Sequence, residues 1–182
     1  PRFNLGAVFD RRGELDKATA LYLQALELKP DFSRANNALG IIRARQGQRA
    51  LAARRFEKEL AVNPNFAEAH NNLGQLLLEA GRNQDAETRL REAIRIDPRY
   101  AQAQMNLGIA LKRVGKKKEA AKHYLEAIAL QPRLVDAINN LGLLHLEEGR
   151  KAEAATRFRE ALRINPGFTP ARANLERALE QP

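Results

Sequence analysis

Apolar residues return along this chain in two alternating kinds of amphipathic stretch, each about a dozen residues long and spaced as on a helix buried along one side. The first kind contains a Leu-Gly pair, most plainly as Asn-Asn-Leu-Gly at 71–74 and again at 139–142. Its glycines fall at 6, 40, 74, 108 and 142, a constant interval of 34 residues. A fixed period of that size marks a stacked array of repeats. A second glycine follows at 13, 47, 81, 115 and 149, and predicts a helix closed by a left-handed residue. The second kind of stretch then runs to Pro30, Pro64, Pro98, Pro132 and Pro166. Proline excludes helical geometry from the residue before it, so each of these predicts a helix end. Every period therefore reads as helix A, a tight turn and helix B.

The spacing of small and large residues supplies a packing pattern. Ala18, Ala52, Ala86, Ala120 and Ala154 stand twelve positions beyond the Leu-Gly glycines, and are expected to face them so that the two helices approach closely. One turn later come Tyr22, Phe56, Leu90, Tyr124 and Phe158, sized to fill the space between helices. The units are 1–32, 33–66, 67–100, 101–134 and 135–168, with a lone closing helix at 169–182 and the whole chain forming one solenoid. The second unit departs most from the pattern. Glu59 stands where its siblings have alanine, and Arg43 where they have Phe9, Leu77, Leu111 and His145. Both predict that 33–66 is the softest joint, and that Glu59→Ala would stabilise it.

These residues resemble the tetratricopeptide repeat family, whose 34-residue unit has Leu-Gly in helix A, small-large-small in helix B and a closing proline. The resemblance covers essentially the whole chain. It implies an all-α, right-handed superhelical α-solenoid of helix-turn-helix repeats, with helix A lining the concave surface and a noncatalytic, protein-binding role.

Composition narrows the alternatives. The chain has 182 residues, no cysteine and 44% hydrophobic residues, which excludes disulfides and thiolate metal sites and allows a core of Leu, Ile and Ala. No apolar run reaches the roughly 18 residues of a membrane span. The chain is expected to be soluble, with the cytoplasm favoured over other compartments. The net charge of +9 raises nucleic acid or an anionic membrane as partners of an outer basic surface. The run Lys112-Arg113-Val114-Gly115-Lys116-Lys117-Lys118 is its sharpest feature. The charged residues expected in the groove, however, balance: Asp10, Arg11, Arg34, Arg45, Glu68, Glu79, Lys112, Arg113, Asp136, Glu147, Arg177 and Glu180 are six of each sign. That argues against nucleic acid running through it.

No catalytic residue, metal site or cofactor is expected. His70, His123 and His145 have no second ligand at a workable spacing, and the carboxylates form no pair in a cleft that would tune one for acid-base work. The groove instead carries asparagine. Asn4, Asn72, Asn106, Asn140 and Asn174 stand two residues before the glycine position, broken by Ala38, with Asn37, Asn71 and Asn139 beside them. A carboxamide complements the N–H and C=O of a peptide. The column is similar to the asparagine ladder of the O-GlcNAc transferase repeat region, which implies a grip on polypeptide backbone. The alternative is that the amides bridge neighbouring helices. A family clamp for acidic C-termini is absent, because Phe3, Asn37, Asn71, Met105 and Asn139 replace its lysine, and Ala7, Ile41, Gln75, Ile109 and Leu143 replace its asparagine. The apolar residues among these, with Met105, Leu78 and Leu146, offer contact for an apolar side chain or an amphipathic helix instead. The expected role is a scaffold binding an extended or helical segment of a partner protein through Asn4, Asn37, Asn71, Asn72, Gln75, Met105, Asn106, Ile109, Asn139, Asn140, Leu143 and Asn174. Two alternatives stay open: the substrate-recognition arm of a larger glycosyltransferase-like enzyme, and a nucleic acid or membrane binder acting through the outer surface. End-to-end self-association is a further partner arrangement that the repeats allow.

Overall fold

The structure, a computed structural model, describes residues 2–32 and 34–180. Pro1, Ser33, Gln181 and Pro182, which bound the first unit, the second unit and the closing helix in the sequence reading, lie outside the described residues. Those described form eleven helices and no strand. The A helices are α1 (Arg2–Arg11), α3 (Ala35–Arg45), α5 (Ala67–Glu79), α7 (Ala101–Arg113), α9 (Val135–Glu147) and the closing α11 (Thr169–Leu179). The B helices are α2 (Leu15–Leu28), α4 (Arg49–Val62), α6 (Asn83–Ile96), α8 (Lys117–Leu130) and α10 (Lys151–Ile164). The A helices from α1 to α9 close as the second glycine predicts: Gly81 has φ +74°, and the Arg82 N–H reaches back to the Leu77 carbonyl at 2.9 Å. Orphan carbonyls at the helix end are thereby satisfied.

Each B helix packs antiparallel on its own A helix and then against the A helix of the next pair. Successive A helices also touch, α3 with α5, α5 with α7, α7 with α9 and α9 with α11, whereas the B helices make no contact of that extent. Elements that approach one another closely lie on the inner radius of a stack, so the A helices line the concave side of this helical-repeat solenoid.

The Leu-Gly glycines face something other than the expected alanines. A Cβ on Gly108 would come within 2.5 Å of Tyr124 Cε1, and one on Gly40 within 2.5 Å of Phe56 Cε1. The missing side chain makes room for the large B-helix residue. The alanines, all fully buried, let the same two helices close around that ring.

The core is continuous from α5 to α9, where thirteen buried residues pack as one cluster. At the α3–α4 pair it divides: Leu39 and Ile42 pack toward α2, while Ala52 and Phe56 pack toward α5. Glu59 corrects the sequence reading. It is 1% exposed, and its two carboxylate oxygens accept the Arg34 N–H at 2.7 Å and the Asn37 N–H at 3.2 Å. The carboxylate therefore caps α3 from the neighbouring helix, a favourable position for negative charge. Its bulk has a counterpart in the backbone: α3 has 11 residues where α5, α7 and α9 have 13, and its N-cap Arg34 is left-handed at φ +78°. Glu59 occupies the place of the missing first turn.

Candidate partner-binding surface

The concave face is organised by contacts between residues 35 apart, one more than the period, because neighbouring A helices are offset by one residue where they touch. Asn72 Nδ2 donates to Asn37 Oδ1 at 3.0 Å, Asn106 Nδ2 to Asn71 Oδ1 at 2.9 Å, and Asn174 Nδ2 to Asn139 Oδ1 at 3.0 Å. Asn71 Nδ2 also reaches the Tyr100 hydroxyl at 3.3 Å. Three joints are thus bridged by amide pairs. At the other two the residues 35 apart are not amide pairs: Asn140 corresponds to Met105, and Ala38 to Phe3. Phe3 packs instead into an aromatic cluster, its ring centroid 5.2 Å from those of Tyr22 and Phe32. Asn140 is half-buried, and its amide has no hydrogen-bond partner among the described residues.

The expected groove residues separate by depth. Asn37, Asn71, Met105, Asn106 and Asn139 are buried, Asn71 and Asn106 at 2% and 3% exposure. Asn72, Ile109, Asn140, Leu143 and Asn174 are half-buried, and Asn4 and Gln75 are exposed. Between α3 and α5 the surface sinks into a pocket of about 180 Å³ lined by Ile41, Ala44 and Leu76 over Phe56, and rimmed by Arg45, Asn72, Gln75 and Glu79.

The charges are engaged between helices. Arg45 meets Asp10 at 2.6 Å and Lys112 meets Glu147 at 2.8 Å, again 35 residues apart. The Arg113 guanidinium donates to the Leu78 carbonyl. Within the basic run, Lys116 holds both oxygens of Glu87 at 2.9 and 3.1 Å, and Lys117 lies 3.7 Å from Glu147. Burial alone would raise the Glu87 pKa; the hydrogen bonds from Lys116 and Arg91 outweigh it and hold the carboxyl below its ordinary value. The run thus joins α6, α8 and α9.

A second polar column, four residues before the glycine, was not singled out in the sequence. His70 Nε2 donates to the Pro64 carbonyl at 3.0 Å, Gln104 to that of Pro98 at 3.4 Å and Arg172 to that of Pro166 at 2.8 Å. The side chain latches the inter-repeat turn, and the fixed six-residue spacing back to proline was its signal. His123 donates from Nδ1 to Gln104 Oε1 at 2.7 Å. Burial, in first place, lowers the pKa of all three histidines, as expected of neutral packing groups. Among the described residues no group of three His, Asp or Glu is placed to hold a metal ion, and no helix is long and apolar enough to cross a membrane.

A family model described as tetratricopeptide repeat matches residues 37–101, 74–133 and 105–167, and one described as TPR repeat matches 6–47. No curated protein sequence matches the chain. Among solved structures it is similar to one in the APC/C hetero-tetramer Cut9-Hcn1, at TM-score 0.89 and 22% identity over 98% of this chain. The match spans 36% of that relative's length. It is similar to YrrB, described as a TPR protein with an unusual peptide-binding site, at TM-score 0.75 and 23% identity over 97% of this chain and 91% of that one. A third likeness is TTC0263, a thermophilic TPR protein of Thermus thermophilus, at TM-score 0.77 and 24% identity over 98% and 97%. Matches extend to 402 chains, so shared architecture does not select a partner.

Proposed function

The chain belongs to the tetratricopeptide repeat family, whose general role is protein binding, and from that premise we propose that it is an interaction scaffold holding an extended or helical peptide segment in its concave groove. The observation that carries the reading is the pocket between α3 and α5: apolar at its floor, amide and charge at its rim, and large enough to hold one aliphatic side chain. Such a pocket anchors one apolar residue while the rim fixes direction. Farther along, Ile109 and Leu143 are half-buried, and the Asn140 amide, without a partner among the described residues, has a donor and an acceptor for a ligand backbone. YrrB, of similar fold, is itself described as peptide-binding.

The test is selection from a random peptide display library, followed by affinity measurement on Gln75→Lys and Asn140→Ala. Selected peptides should share one apolar anchor. Asn140→Ala should cost about 0.5–1.5 kcal/mol of binding with the melting temperature unchanged. Peptides that bind both variants as tightly as the parent would place the site elsewhere.

A further inference from the structure

On the outer face a groove lies between α4 and α6, and the 34-residue period sets different side chains at the corresponding positions between α2 and α4. Between α4 and α6 the groove is lined by Glu57, Leu73, Leu77, Arg82, Asp85 and Arg89 among others. Asp85 pairs there with Arg82 at 2.8 Å. In the next groove Glu119, which corresponds to Asp85, pairs with Arg91 at 3.1 Å; in the one after, Glu153 has that place. By the repeat, the positions 34 residues earlier form the equivalent surface between α2 and α4. There Glu57 becomes Leu23, Asp85 becomes Leu51, Leu77 becomes Arg43, and Arg89 with its neighbour Thr88 becomes Arg55 with Arg54. Both acids have become leucine, and three arginines stand beside them.

None of the three makes an ion pair among the described residues. Arg43 donates only to the Gln46 and Gln48 side chains, both at 3.0 Å, and Arg55 to Asn36 Oδ1 at 3.2 Å. Burial and then the charge of Arg43 lower the Arg55 pKa, as expected of neighbouring cations without a counterion. The other carboxylate of α4, Glu59, is buried beneath α3. Leu51 is exposed at 46% beside this cluster.

We propose that the groove between α2 and α4 docks a short acidic segment of a partner protein, its carboxylates on Arg43, Arg54 and Arg55 and an apolar side chain on Leu23 and Leu51. The segment supplies the carboxylate that Asp85, Glu119 and Glu153 provide at the place of Leu51 in the other units. Guanidinium forks suit carboxylates in pairs. The length of α4, 14 residues or about 21 Å, is spanned by about six extended residues. A peptide is favoured over a phosphate polymer because the basic surface is one groove wide: Asp16 and Glu27 on α2 and Glu57 and Asp85 toward α6 would repel a polyanion running past it.

Fluorescence anisotropy of a labelled peptide of glutamates around one leucine tests this, with the glutamine version of that peptide, an oligothymidylate and phosphatidylserine vesicles beside it. The glutamate peptide should bind, the glutamine version should not, and added salt should weaken binding. Arg43→Leu with Arg55→Gln should lower affinity about 100-fold, roughly tenfold for each lost charge pair. Leu51→Asp restores the acid of the sibling grooves on an exposed first turn, where it is compatible with folding, and should abolish binding with the circular dichroism melt unchanged. The proposal is overturned by failure of the parent protein to bind the peptide, by undiminished affinity in Leu51→Asp, or by oligonucleotide or vesicles binding more tightly than peptide. Asn140→Ala leaves this site intact, so its outcome and that of the concave groove are read separately.

Discussion

Replacing Glu59 with glutamine keeps its shape and removes its charge, and the structure gives this conservative change a larger penalty than truncation. The carboxylate accepts two backbone N–H groups at the start of α3 from a position 1% exposed. Hydrogen bonds to a charged group contribute about 1.5–3 kcal/mol each, and neutral ones about 0.5–1.5. Glutamine retains one acceptor, now neutral, and turns an N–H₂ toward the second N–H, leaving a buried donor unsatisfied at a further cost of about 1–3 kcal/mol. Set against two charged bonds in the parent, the sum is a loss of about 3.5–7.5 kcal/mol. Alanine loses both bonds, about 3–6 kcal/mol, but makes room for the missing first turn. Rewinding it returns two neutral bonds and frees Arg34 from a left-handed conformation that costs about 1–2 kcal/mol, so Glu59→Ala should lie within about 1 kcal/mol of the parent on these terms. The expected order of stability is parent, then alanine, then glutamine. Urea denaturation followed by circular dichroism gives the order. Amide exchange localises it, and repeat arrays need that resolution because they open in parts: in Glu59→Gln the amides of Arg34 and Asn37 should lose protection first. A glutamine variant as stable as the parent, or more stable than the alanine variant, would refute the cap.

Other perturbations separate structural from exposed groups. Asn106→Ala removes an amide bridge at a site 3% exposed, so it should lower stability by about 1–3 kcal/mol, read as a shift in urea midpoint. The Tyr124 hydroxyl is buried without a partner, and burial raises its pKa; Tyr124→Phe should raise stability by about 1–3 kcal/mol, most clearly as slower exchange in α7 and α8. Stability should fall in two steps on acidification. His70, His123 and His145 have folded pKa values below their ordinary 6.5, so the unfolded chain binds more protons and stability is lost as pH drops through and below that value. The depressed carboxyl of Glu87 contributes stability above its ordinary 4.5, lost as pH falls further; melting temperatures measured from neutral to acid pH should show both, and a flat profile would contradict the lowered histidine values.

The repeat, its turn glycines and its closing prolines were legible because each reflects a backbone constraint tied to one residue type. The Gly108–Tyr124 approach was legible as size complementarity, though its partner was not, since facing positions on two helices depend on their offset. Glu59 misled because a sequence shows that an alanine is missing and not which N–H groups its replacement reaches across 22 and 25 residues. The amide bridges were legible only in part: the 34-residue period displays columns, whereas the contacts run at 35. The sequence offered both a ligand-gripping ladder and a helix bridge for these asparagines, and the hydrogen bonds between Asn72 and Asn37, Asn106 and Asn71, and Asn174 and Asn139 are of the bridging kind.

That one-residue offset bears on how such an array could lengthen. A unit copied in tandem must match itself: the residue two before its glycine meets the residue three before the glycine of its twin. The units of Gly74 and Gly142 carry Asn-Asn at those places and would bridge their own copies, whereas the unit of Gly108 would set Asn106 against a second Met105 and that of Gly40 would set Ala38 against Asn37. Charge points the same way. Residues 33–66 and 101–134 each have seven cations and two carboxylates, while 67–100 has five cations and six carboxylates, so duplicates of the basic units would repel and a duplicate of the third would not. The chain is an ordered series of unlike tiles, in which only some can be repeated side by side, and a version extended by a second copy of 67–100 should fold more readily than one extended by a second copy of 101–134.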